Sequence, residues 1–207
     1  MKRVTARRTL ENALRREGFC HVAGADEVGR GCLAGPVTAG VVILDPDHHI
    51  PGLADSKVVP ADERDDLYTE IVRHAIAWSV ASSTPAQIDT LNIHKASLDA
   101  MRRAVLALTP LPDIVLVDAF RIPDIPMPQR GVKQGDRKVA AIAAASIVAK
   151  VIRDREMVAL HDADPRYGFD RHKGYGTPEH LDALERYGYS DAHRRSFKPS
   201  RLFDTIN

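Results

Sequence analysis

The stretch HVAGADEVGRGCLAGPVTAGVVIL, residues 21–44, decides how this chain folds. HVAGADEV (21–28) begins apolar and ends in two adjacent carboxylates, whereas PVTAGVVIL (36–44) is a β-branched run, so the two predict neighbouring strands joined by the GRGCLAG turn. Asp26 and Glu27 then sit at a strand end. In a strictly extended strand they point to opposite faces, so joint coordination of an ion requires a strand end or a bulge, where the pleat relaxes. Gly29 and Gly31 give that freedom and let main-chain N–H groups approach a phosphate or sugar, while Arg30 adds planar donors. Mg²⁺ and Mn²⁺ favour several hard oxygen ligands, and two such ions about 3.5–4 Å apart activate a water and stabilise a leaving oxygen in phosphodiester cleavage. An isolated Asp-Glu pair is more often solvated surface, and the pair by itself establishes no site.

Outward from this stretch the pattern is that of an α/β domain. ADERDDLYTEIVRHAIAW (61–78) has an acidic first turn and apolar Leu67, Ile71 and Val72 at helical spacing, and predicts a helix running into a strand near AWSVASS. Thr84 and Pro85 form an N-cap and first-turn pair; Leu98, Met101, Val105 and Leu108 mark a face of the next helix, which Pro110 and Pro112 stop. DIVLVDAF (113–120) reads as an internal strand with Asp118 at its C-terminal side, where α/β sheets place ligands. The alanine-rich segment 137–160 predicts a long helix lying close to the sheet, with Ser146, Lys150 and Asp154 on one face. On an exposed face Asp154 would merely pair with Arg153, Arg155 or Lys150. Thr177 and Pro178 open a short helix that Gly188 closes. The pattern divides the chain into an N-terminal helical or frayed segment (1–19), an α/β domain (20–165) and a small helical C-terminal extension (166–207).

At 207 residues with 44% hydrophobic content the chain can bury a core of its own, and 29 Lys+Arg against 28 Asp+Glu leave any basic surface local, as in HRRSFKPSR (193–201). Cys20 and Cys32 have neither zinc spacing nor the number of a disulfide scaffold, which favours a reducing, cytoplasmic setting. The N-terminus lacks the apolar core of a signal peptide, and VAAIAAASIVA (139–149) is too short to span a bilayer. His172, His180 and His193 have irregular spacing that argues against zinc, and the histidine of HRRSF is expected at the surface or on phosphate. GADEVGRG lacks the phosphate-loop pattern of nucleotide enzymes.

GADEVGRGCLAGPV, ADSK, VDAF, IAAASIVAKVIRDREM, HKGYGTPEH and HRRSF, in this order from residue 24 to 197, closely resemble the type 2 ribonuclease H family, specifically its bacterial ribonuclease HII branch. The resemblance implies a ribonuclease H-like fold, a mixed central sheet flanked by helices, and endonucleolytic cutting of RNA in RNA–DNA hybrids and at single ribonucleotides embedded in duplex DNA. It places four catalytic, metal-binding acids on Asp26, Glu27, Asp118 and Asp154, with Mn²⁺ or Mg²⁺ as cofactor. Gly29, Arg30 and Gly31 resemble the family's sensor of the ribose 2′-hydroxyl and its phosphate, the group that separates RNA from DNA. Tyr175 resembles the tyrosine that stacks on the sugar 3′ to the ribonucleotide, Lys57 a phosphate contact, and Ser146 and Lys150 further backbone contacts. Two metals would activate the attacking water and stabilise the leaving 3′-oxygen, giving 3′-hydroxyl and 5′-phosphate ends.

The chain departs from the family pattern in VKQGDRK (132–138), where Gln134 stands in place of a lysine directly before Gly-Asp, which puts roles for Lys133 and Asp136 in doubt. About twenty residues precede the first strand, unlike the ribonuclease HIII branch with its large N-terminal substrate-binding domain. A nuclease acting on DNA alone and a hybrid-binding protein that does not cut are the alternatives; GRG and Tyr175 oppose the first, and the complete set of acids opposes the second. A monomer is expected, and the terminus RLFDTIN shows no obvious clamp-binding motif.

Overall fold

The computed structural model describes residues 4–198, so RLFDTIN and the end of the basic run lie outside the described residues. β1 (Val22–Val28) and β2 (Val37–Leu44) pair antiparallel in continuous register, with Asp26 opposite Gly40 and Glu27 opposite Ala39. The relaxation expected at the carboxylates falls just beyond them, at Gly29, whose φ of +91° turns the chain out of the strand. β3 (Ala75–Ser83) pairs antiparallel with the far side of β2; β4 (Ile114–Asp118) lies parallel to β1, and β5 (Gln129–Val132) parallel to β4. The order β3-β2-β1-β4-β5 gives the mixed, helix-flanked sheet expected from the sequence.

One face is covered by α6 (Ala140–Ala163), with α1 (Thr9–Arg16) and α2 (Ala61–His74) beside it; the other is covered by α4 (Ile93–Leu106). The even-numbered positions of β1 face α6 and the odd-numbered ones face α4, so Val22 and Leu116 join Ile142 and Ile147 while Ala23, Ala25 and Val117 join Met101 and Val105. α6 lies against β1 and β2 because the contact is glycine on alanine: a Cβ on Gly24 would fall on the Ala141 and Ile142 backbone, and one on Gly40 would come within 2.5 Å of the Ala145 carbonyl oxygen. The helix begins three residues later than the sequence suggests, since α5 (Gly135–Lys138) forms a separate turn. Its first turn has no side-chain cap of its own. Instead Glu11, 1% exposed, reaches across from α1 and accepts from the Ala141 N–H at 2.9 Å, so the N-terminal helix is docked rather than frayed.

The Thr84 cap is present as a full capping box with Gln87 on α3 (Pro85–Leu91). Asn92, at φ +70°, then breaks the run and caps α4 through Lys95 N–H, so the helix carrying Leu98 and Met101 is separate and ends at Leu106, before either proline. β5 was not legible: QRGV is short and polar, and it is held by a double amide bond from Gln129 to the Ile122 backbone. Among the described residues no helix is long and apolar enough to cross a membrane.

The C-terminal part comprises α7 (Phe169–His172) and α8 (Pro178–Tyr187), with a core of Tyr167, Phe169 and Leu184 packed on Ala34 and on Met157 of α6. Its histidines are interior, contrary to the surface expectation for HRRSF: His180 and His193 are 0% and 2% exposed. Ser190 N–H donates to His193 Nδ1 (3.0 Å), the two Nε2 atoms lie 3.1 Å apart, and His180 Nδ1 faces the Tyr175 carbonyl oxygen at 2.9 Å. With one shared proton between the Nε2 atoms both rings are neutral, and a further proton would set N–H against N–H. Arg194 of the same motif is also buried, its guanidinium donating to the carbonyls of Gly29, Arg30, Gly35 and Pro36.

Gly24→Ala is expected to lower the urea unfolding free energy by about 1–3 kcal/mol, since backbone has to give way to the added methyl. Burial holds His180 and His193 at about 4, against 6.5 for a free imidazole. Between those values the unfolded chain binds the protons and the folded chain does not, so this contribution is complete above pH 6.5 and is lost as pH falls towards 4. Urea midpoints measured across that window should fall, and less steeply in His193→Asn, which has one fewer titrating ring.

Candidate active site

Asp26 and Asp118 end adjacent parallel strands on the α6 face, and Glu27 turns to the opposite face at the same sheet end. Together with Gly29, Arg30, Gly31, Lys57 and Tyr175 they line a cleft of about 300 Å³. Asp26 is 7% exposed and is held from below by Ser146, whose hydroxyl is in turn bonded to Ser56 Oγ at 2.9 Å. Burial, with repulsion from Glu27 and Asp118, pushes the Asp26 carboxyl well above the usual range despite the Ser146 bond. Burial also raises Glu27, although Arg30 Nη1 donates to its Oε1 at 3.2 Å. The other oxygen, Glu27 Oε2, is buried without a hydrogen-bond partner. Asp118 Oδ1 accepts from the Gly135 N–H at 2.8 Å.

Asp26, Glu27 and Asp118 are hard-oxygen donors that repel one another, one with an orphaned buried oxygen, which suits a divalent cation of the Mg²⁺ or Mn²⁺ class. With Glu27 on the opposite face their oxygens do not all lie within 4.8 Å of one another, so joint ligation requires the Glu27 side chain to swing round the sheet end. Asp154 stands apart. It shares the α6 face with Ser146 and Lys150 as expected, but Lys150 Nζ (2.6 Å) and Arg64 Nη1 (3.3 Å) hold its carboxylate, and it lines a separate cleft of about 330 Å³ together with Arg155 and Lys173. Burial lowers the Lys150 ammonium despite that pairing. The alternative pairings of Asp154 with Arg153 or Arg155 do not occur: Arg155 bonds Asp65, and Arg153 is buried on main-chain carbonyls.

The turn that carries the GRG residues is fixed from beneath. Arg153 donates to the carbonyls of Ala34, Pro36 and Lys173, and Arg194 to those of Gly29, Arg30, Gly35 and Pro36. Because a trans peptide sets its N–H opposite its C=O, drawing the Gly29 and Arg30 carbonyls inward turns the N–H groups of Arg30 and Gly31 outward. The Arg30 guanidinium lies over the Phe120 ring at 4.6 Å. Lys57 is exposed at the cleft, and its N–H is bonded to Asp55 Oδ1, which shapes the loop that presents it. Tyr175 is 39% exposed at the cleft wall, its own carbonyl fixed by His180.

Gln134 occupies a left-handed position, φ +57°, that opens α5 and aims the Gly135 N–H at Asp118, so the VKQGDRK segment holds the Asp118 carboxylate in place. Asp136 is 9% exposed, and burial with repulsion from Asp55 and Asp118 raises its carboxyl; Lys133 lies exposed. Arg64 was missed, hidden in the acidic ADERDD run. Arg153 and Arg194 were missed because buried arginine has no sequence signature apart from the motifs that contain it.

A family model described as Ribonuclease HII matches residues 23–200. The chain is 54% identical over 183 residues to the ribonuclease HII of Cupriavidus necator, covering 87% of this chain and 77% of that one. Among solved structures it is similar to the ribonuclease H2 of Pyrococcus horikoshii, with a TM-score of 0.75 and 25% identity over 88% of this chain and 96% of that one. It is also similar to the ribonuclease HII of Archaeoglobus fulgidus, solved in complex with PCNA, with a TM-score of 0.73 and 26% identity over 86% and 96%. A match of this length means that the chain belongs to the ribonuclease HII family and is a hydrolase of the ribonuclease H class.

Proposed function

We propose that this chain hydrolyses the RNA strand of RNA–DNA hybrids and incises on the 5′ side of single ribonucleotides embedded in duplex DNA, leaving 3′-hydroxyl and 5′-phosphate ends. The observation that supports it most directly is the orphaned Glu27 Oε2 beside Asp26 and Asp118, next to a turn whose outward N–H groups suit a phosphate or a 2′-hydroxyl. Asp26, Glu27, Asp118 and Asp154 are the residues that would hold Mn²⁺ or Mg²⁺. When bound, two such ions supply Lewis-acid activation of water and stabilise charge on the leaving oxygen.

The remaining work falls to the chain's own groups. Gly29, Arg30 and Gly31 recognise the ribose and its phosphate, with the Arg30 guanidinium kept in place by Phe120 and Glu27. Tyr175 offers an aromatic face to the sugar on the 3′ side, and Lys57 contacts the backbone. Ser146 orients Asp26 from within, and Lys150 meets the backbone near Asp154, which also keeps a competing cation, Arg64, close to the fourth acid. The 2′-hydroxyl is recognised and is not the nucleophile. The chain acts as a monomer in the reducing cytoplasm, consistent with free Cys20 and Cys32.

An end-labelled DNA duplex with one ribonucleotide, run beside an all-DNA duplex and a metal-free reaction, tests the reading: a metal-dependent cut 5′ to the ribonucleotide supports it, and a 2′,3′-cyclic phosphate product or equal cutting of all-DNA refutes it. Asp26→Asn should reduce cleavage by about 10³-fold or more, about 4 kcal/mol of transition-state stabilisation. Its thermal midpoint should rise, because a buried carboxylate repelled by two others is gone. Gly31→Ala faces open space and should leave stability within about 0.5 kcal/mol, while its methyl at the cleft raises KM for the ribonucleotide substrate about tenfold.

A further inference from the structure

Away from the acidic cleft, His48, Glu70 and His74 bring two imidazole nitrogens and a carboxylate oxygen within 4.8 Å of one another. The two rings stack at 3.8 Å with planes 9° apart, and both Nε2 atoms face the same oxygen, Glu70 Oε2, at 3.8 Å for His48 and 3.7 Å for His74. These separations are too long for hydrogen bonds. They are close to what ligands of one ion require: with Zn–N and Zn–O of about 2.0–2.2 Å, neighbouring donors on a tetrahedral ion lie about 3.3 Å apart. We propose that His48, Glu70 and His74 form a second metal site, of two histidines and one carboxylate, for a transition-metal divalent cation of the Zn²⁺ class.

The backbone already holds the ligands near position. Glu70 and His74 lie one turn apart on α2, which passes directly into β3 at Ala75. His48 lies in the loop after β2, where Arg8 donates to the carbonyls of Asp45 and His48, each at 2.6 Å. Because the rings are stacked, their Nε2 lone pairs run side by side, and at least one ring must rotate out of the stack to converge with the other on one ion. All three side chains are accessible to solvent, which leaves room for that rotation and for a water in the fourth position. Imidazole selects Zn²⁺, Ni²⁺ or Cu²⁺ over Mg²⁺, which sets this site apart chemically from the all-carboxylate cleft. It is also apart in space: Asp26 is opposite Gly40, whereas the histidines lie beyond Leu44, which pairs with Ala75, about 13 Å further along β2 at 3.3 Å per residue. A bound ion would tie the loop that leads to Lys57 to the end of the helix that begins beside Arg64, and so stiffen the segment that frames both clefts.

Calorimetric titration of Zn²⁺ into the full chain, with excess Mg²⁺ present to fill the hard-oxygen positions, tests this. One Zn²⁺ equivalent is expected whose affinity falls about tenfold or more in His48→Ala and in His74→Ala, since loss of a ligand exceeds the usual effect of losing a ligand's supporting hydrogen bond. In histidine ring ¹H–¹⁵N spectra the Nε2 resonances of His48 and His74 should shift with Zn²⁺ while those of His180 and His193 stay in place. Wild-type near-ultraviolet circular dichroism in each variant verifies its fold, and Glu70→Gln gives the same weakening without touching either ring. If the variants bind every Zn²⁺ that the parent binds, with unchanged affinity, or if the ring resonances do not respond, the proposal is overturned.

Discussion

Two buried guanidinium groups satisfied by main-chain carbonyls, Arg153 and Arg194, are the constraint on which the cleft depends. Removing a charge from water is costly unless its donors are used, and here carbonyls of Gly29, Arg30, Ala34, Gly35, Pro36 and Lys173 accept them. Burial brings the Arg194 pKa down to about 10, which still leaves the group charged at neutral pH. The turn between β1 and β2 therefore has one arrangement that serves both cations, and any other leaves a buried donor unpaired. Gly29 is the complement of this: a Cβ there would collide with the Arg153 side chain. The C-terminal motif that contains Arg194 is thus structural support for the N-terminal turn that lines the cleft.

Against this fixed turn the acids are held in tension. Asp26, Glu27 and Asp118 repel one another in a buried setting, and only part of that repulsion is relieved by Ser146, Arg30 and the Gly135 N–H. Asp154, by contrast, is paired with two cations, Lys150 and Arg64. The site is accordingly split into a strained group that favours a cation and a neutralised carboxylate beside it. A cation bound there would relax the first group, which would link its affinity to fold stability.

Much of this was legible in the sequence because it rests on local rules. The β-branched runs, the Thr84 and Thr177 caps and the alternation around Asp26 each act over a few residues, and the elements they predict are present. The acids at the ends of β1 and β4 followed from strand polarity. What escaped depends on contacts between distant segments. β5 has no hydrophobic pattern because an amide clamp and its parallel neighbour hold it. His193 and Arg194 read as a basic surface because charge in a sequence carries no sign of burial, and only packing on Tyr167 and on the β1–β2 turn reveals them as interior. Arg64 lay within an acidic helix start, where its reach to Asp154 crosses to another helix.

The glycine-on-alanine seam between the sheet and α6 has a consequence for how damage spreads. Ala141, Ala145 and Ala149 touch the strands along one stripe of the helix, and Ser146, Lys150 and Asp154 follow on the adjacent stripe. The helix is therefore both wall and lever. A methyl group wedged into the seam would push on the helix that carries Asp154, and at Gly24 it would meet backbone, with no flexible side chain there to absorb it. Packing along the seam and the placement of Asp154 are thereby joined through one helix.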